Sequence, residues 1–141
     1  METWKLQAIL AAVFAGLTSV LAKSGLTGLS ADTGLAIRTA VVFLLVSANT
    51  FAIGGVGEIS TVTGRNLALL ALSGLTTSLS WIFYYRAMKI GTVSTVALID
   101  KGSIIITLLL SFSLLREPFT ARVVLGAALI LAGVGVLSWK I

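Results

Sequence analysis

Five apolar runs, each close to the length a helix needs to cross a bilayer, take up most of this chain of 141 residues. A hydrocarbon layer ~30 Å thick calls for roughly 20 helical residues. Such runs fall at 4–22, 34–53, 66–88, 93–115 and 120–139. They are too long and too evenly apolar for barrel strands, and lipid offers no partner to backbone groups, so each must be a helix. The connectors carry turn and loop chemistry: Ser24-Gly25 to Asp32-Thr33, then Gly54-Gly55-Val56-Gly57-Glu58, Gly91, and Glu117-Pro118. The chain reads as an all-α integral membrane protein of five transmembrane helices, one domain over 1–141.

Composition excludes much else. With 57% hydrophobic and 11% charged residues, and a mean hydropathy of +1.09, too little polar surface exists to cover a soluble globule. Neither cysteine nor histidine is present. That removes thiol catalysis, thiolate metal sites, disulfides and the usual carriers of zinc and imidazole chemistry. No span offers a nucleophile and base at helical spacing, and Ser103 beside Lys101 is too isolated to count as one, so an enzyme is not expected. No cofactor or metal is called for. The net charge of +5 is spread singly over segment ends, which is a topology pattern and not a nucleic-acid face. Lys5 precedes an apolar run that continues to Ala22 without an Ala-x-Ala cleavage site, so it reads as a retained span.

An odd number of spans puts the termini on opposite sides, and basic residues should then reveal orientation. One side holds Lys5, Arg65, Arg116 and Arg122; the other holds Lys23, Arg38, Arg86, Lys89 and Lys140. Four against five is no bias. The expectation is a chain that inserts both ways and pairs with an inverted copy of itself as an antiparallel homodimer.

The fourth run carries an acid and a base side by side, Asp100-Lys101. Starting the helix after them leaves 102–115, too short to cross; a helix from Val93 instead buries Asp100 about 10 Å along the axis, short of the midplane, and the alternative of a helix from Ile99 sets the pair at the interface. Charges there cost about 2.5–3.5 kcal/mol each on insertion scales and usually face a cavity, a partner or a substrate path. Successive helix positions lie ~100° apart, so the two cannot form a tight side-by-side pair on a regular helix. Each needs another partner. Gly102 and Ser103 let the helix loosen, aiming Lys101 at an anionic substrate group and leaving Asp100 to hold a proton or pair with Lys23 or Arg38. The plainer alternative is an ion pair that locks neighbouring helices.

Along the third run Ser73, Thr77, Ser80 and Tyr84 share one helical face, with Trp81 and Tyr85 adjoining. That face should look inward, as a cavity wall or as interhelical hydrogen bonds. Small residues at Ala8, Ala12, Ala15, Gly16 and Ser19, and again at Gly126, Ala128, Ala132, Gly133 and Gly135, permit close helix approach, either as packing within the protomer or, for the second set, as a dimer seam. Trp4 and Trp139 read as interface-belt residues. Thr120 should cap the last helix and Asp32 the second, Glu117 should pair with Arg116 or Arg122, and Glu58 should be solvated.

Four stretches taken together carry a resemblance: Tyr84-Tyr85-Arg86-Ala87-Met88-Lys89-Ile90-Gly91, Val93 to Lys101, Leu115-Arg116-Glu117, and Gly126-Ala127-Ala128-Leu129-Ile130-Leu131-Ala132-Gly133. In order and spacing the chain resembles the EamA-type domain of the drug/metabolite transporter superfamily over essentially its whole length, most strongly from Trp81 onward. Lys23 and Arg38 also fit that pattern. Many members have ten helices as two inverted five-helix halves, so the resemblance implies one half of an inverted-repeat transporter, in the short five-helix branch, completed by dimerisation. Ten-helix relatives often carry proline where Asp100-Lys101-Gly102 stands, so their cavity details do not transfer. The resulting expectation is an inner-membrane carrier or exporter of a small metabolite, bacterial or archaeal, working by alternating access amid membrane lipid. Candidate substrate- or proton-binding residues are Asp100, Lys101, Ser103, Lys23, Arg38, Ser73, Thr77, Ser80, Trp81 and Tyr84. Rival readings are a flippase for lipid-linked sugars or other amphiphiles, and a non-transporting scaffold subunit.

Overall fold

The computed structural model describes residues 2–118 and 120–139, so Lys140 lies outside the described residues. Every regular element among them is helical. Four stretches are long and apolar enough to cross a membrane, Thr3–Gly25, Ala31–Ala52, Gly64–Ile90 and Val93–Leu114, and a shorter apolar helix follows. The chain divides into two compact units, Met1–Ile90 and Gly91–Ile141.

In the first unit, α1 (Thr3–Gly25) keeps its basic residues, Lys5 and Lys23, near its two ends. The helix runs past the expected boundary at Ala22, so Lys23 sits in its last turn. Ser30 caps α2 (Ala31–Ala52), its hydroxyl accepting from Thr33 N at 3.1 Å. Asp32, expected as the cap, stands inside the first turn, where a carboxylate still favours the helix dipole. Past the end of α2, Gly54 adopts φ 75°, a left-handed conformation that costs glycine little. The glycine-rich connector, expected as an open loop, winds into a short 3-10 helix, Gly55–Thr61. Glu58 on it is exposed, as expected.

The Thr63 hydroxyl accepts from Asn66 N at 3.2 Å at the start of α3 (Gly64–Ile90). With 27 residues, α3 exceeds the thickness of the hydrocarbon layer, at ~40 Å. Tilt or projection beyond it absorbs the excess.

A small core ties these helices at one end: Leu26, Ala31, Leu35, Tyr85 and Met88 are buried, Met88 completely. All lie around the C-terminal ends of α1 and α3 and the start of α2. Away from this knot, large apolar side chains such as Leu17, Phe43, Leu70 and Phe83 are mostly exposed. Such a surface is stable only where hydrocarbon replaces water.

In the second unit the fourth run is interrupted. Helix α4 (Val93–Asp100) and helix α5 (Ser103–Leu114) flank a turn at Lys101-Gly102. Lys101 N bonds Leu98 O at 3.1 Å and Gly102 N bonds Ile99 O at 2.8 Å, spacings of three residues that tighten the helix locally. Both residues keep right-handed helical dihedrals, so the chain continues as a broken span. After α5, Arg116 adopts φ 55°, and Glu117 N reaches back to Ser111 O at 3.3 Å. Pro118 then stops the helix. Thr120 caps α6 (Ala121–Ser138) as expected, its hydroxyl accepting from Val123 N at 3.4 Å.

Candidate functional site

The candidate residues divide between the two units. In the first, the ends of α1 and α3 meet through reciprocal lysines. Lys23 Nζ donates to Met88 O at 2.6 Å and to Lys89 O at 3.4 Å, while Lys89 Nζ donates to Leu26 O at 2.8 Å. The last carbonyls of a helix lack intrahelical partners and carry its negative end, so each ammonium satisfies the other helix's terminus. Arg86 Nε and Nη2 grip Asp32 Oδ1 and Oδ2 at 3.1 and 3.3 Å, joining α3 to α2. Sequence reasoning passed over Arg86 and Lys89 as topology charges. The available signal was their spacing of three on the last turns of α3, which puts both near one face.

Arg38 lies about two turns beyond the start of α2, with its guanidinium 4.0 Å above the Trp81 ring and 5.8 Å from the Tyr85 ring. Its Nη1 is buried without a hydrogen-bond partner. Beside it opens a cleft of about 340 Å³, at the small end of ligand-pocket volumes. Residues of α1, α2 and the turn between them line it, together with Tyr85. Gly34 shapes this wall: a Cβ there would overlap the Leu26 side chain and touch Tyr85.

The polar face of α3 is split. Tyr84 Oη bonds Ser19 Oγ on α1 at 2.9 Å, the interhelical hydrogen bond that such a face allows. Trp81 supports Arg38. By contrast Ser73, Thr77 and Ser80 are exposed, contrary to the expectation of a wholly inward face, and Thr77 spends its hydroxyl on Ser73 O at 2.8 Å. The expected partners of Glu117 are likewise not found: the ion pairs among the described residues are Lys5–Glu2, Arg86–Asp32 and Lys101–Asp100.

In the second unit Asp100 and Lys101 approach each other loosely, Nζ to Oδ2 at 3.8 Å, with side chains 41% and 61% exposed. The distance exceeds a hydrogen bond, consistent with adjacent helical positions that diverge. Ser103 opens α5 directly after the break and is exposed. At Gly102 an added Cβ would stand 3.0 Å from Ile99 O, so the tight turn favours glycine. Among the described residues no cluster of acidic side chains is placed to hold a metal ion.

Long apolar helices mark an integral membrane protein. The chain matches the EamA-like transporter family over residues 2–139 and belongs to that family. It is also similar to a Sinorhizobium sp. protein named "uncharacterized transporter in cobO 3'region", at 39% identity over 132 residues, covering 94% of each chain. No solved structure matches.

Proposed function

We propose that the protein moves a small metabolite across a bacterial or archaeal inner membrane by alternating access, as an inverted homodimer of five-span protomers. The observation that carries this reading is Asp100-Lys101, set at a break about 10 Å into an apolar span and exposed on the protomer, held to each other only at 3.8 Å. Charges in that position cannot face hydrocarbon cheaply. A second copy or a water-filled path must cover them, and discontinuous helices are where transporters build ion and substrate sites. The dimer supplies two such sites across its axis. Asp100 exchanges a proton and Lys101 and Ser103 face the substrate, while in the first unit Ser73, Thr77, Ser80, Trp81 and Tyr84 are the candidates for a path's wall.

The even distribution of basic residues supports insertion in both orientations. On α6 the bare face at Gly126 and Gly133, seven residues apart, where an added Cβ would meet nothing within 4 Å, supports a close seam between copies.

Asp100→Asn tests the reading. In liposomes holding the purified protein, pH-gradient-driven uptake is expected to disappear while downhill exchange of the same solute persists. Driven uptake with unchanged pH dependence removes Asp100 from the coupling role. Protein that catalyses no flux of any solute in a broad screen marks a scaffold subunit instead.

A further inference from the structure

The cleft beside Arg38 has a composition that specifies its ligand. Leu21, Leu26, Leu29 and Ile37 give it apolar walls, and Arg38 and Tyr85 bring the donors. Stacking on Trp81 at 4.0 Å occupies a face of the guanidinium. It does nothing for the edge, where Nη1 is buried and unpartnered. Leaving a buried donor without an acceptor is costly, so this edge calls for an acceptor that the described residues do not provide. The planar fork fits the two oxygens of a carboxylate, and Tyr85, which lines the same cleft, carries a further donor. One cation in apolar walls suits a single negative charge; a dianion would lose more hydration than one guanidinium returns.

We infer that this cleft is a subsite for a small amphipathic monocarboxylate, its carboxylate on the edge of Arg38 and its apolar body against the leucines. The inference deepens the transport reading, on which its role in translocation rests, whereas occupancy itself is measured by binding. Trp81 provides the reporter, because a carboxylate on the edge of Arg38 changes the charge felt by the ring stacked on its face.

The test uses the full chain in uncharged detergent with Trp4→Phe and Trp139→Phe, leaving Trp81 as the sole tryptophan. Its emission is titrated with hexanoate, hexanol and hexylamine. Hexanoate is expected to give a saturable change, hexanol to bind at least tenfold more weakly, and hexylamine to give none. Arg38→Gln should weaken hexanoate at least tenfold; Arg38→Lys should fall between, since the charge stays and the fork is lost; Tyr85→Phe should cost severalfold. Should Arg38→Gln fail to fold, the other two variants decide. Wild-type affinity in both Arg38→Lys and Tyr85→Phe overturns the subsite, as does hexanol binding as well as hexanoate. Oleate presented in vesicles separates the two sources of such a ligand: competition with hexanoate places it in the bilayer, and saturable hexanoate binding without competition places it in water. Arg38-dependent binding without flux in liposomes leaves the subsite standing and overturns transport. Hexanoate flux that ignores Arg38→Lys does the reverse.

Discussion

Lys23 and Lys89 show how much a single charge depends on what it reaches. Each ammonium donates to main-chain carbonyls at the end of the other's helix. Hydrogen bonds to charged groups are worth about 1.5–3 kcal/mol, less where water shares them. Lys23→Ala and Lys89→Ala are each expected to cost about 1–2 kcal/mol in detergent unfolding, with coupling of at least ~0.5 kcal/mol in the double variant because both hold the same pair of helix ends. Strict additivity would show that the two lysines act on separate features. The sequence marked Lys23 and Arg38 as candidates but said nothing of these roles. Backbone carbonyls leave no trace in a string of residue types, and the partners of Arg38 and Asp32 arrive from a distant helix. Asp32 illustrates the limit: its place before the second run suggested a cap, Ser30 took that role, and the carboxylate went to Arg86.

At the scale of elements the apolar runs were legible because bilayer thickness sets their length, and the four long stretches fall where the runs do. Interruptions were harder to read. A turn at Lys101-Gly102 changes hydrogen-bond spacing without changing hydropathy, and the 3-10 helix at Gly55–Thr61 is written in glycines that equally suit an open loop. The end of α5 carries a similar surprise. Glu117 N closes on Ser111 O over seven residues, and just before it Arg116 holds a left-handed position at φ 55°, which at helix ends usually belongs to glycine. For an L-residue that conformation costs roughly 1–2 kcal/mol. Arg116→Gly is therefore expected to be more stable than Arg116→Ala, which removes the same charge, by about 1 kcal/mol in thermal unfolding. Equal stability would mean that the turn relaxes when the arginine is gone.

For the whole molecule the decisive property is which way the chain enters the membrane, and the near balance of basic residues makes that property easy to tip. Short connectors dominate orientation, and Gly55–Thr61 is a short exposed one. Glu58→Lys, Ser60→Lys and Thr61→Lys together raise that side to seven basic residues against five, whereas Arg65→Gln with Arg122→Gln lowers it to two against five. The two variants should insert in opposite single orientations, read by reporter fusions at the C-terminus that respond on one side only. An inverted pair needs both orientations, so each variant alone should lose transport and co-expression should restore it. None of the five altered positions is a candidate site residue, so loss of activity in either variant reports missing partners and not a damaged site. Full transport by the three-lysine variant alone, in a single orientation, would replace the inverted dimer with a parallel assembly.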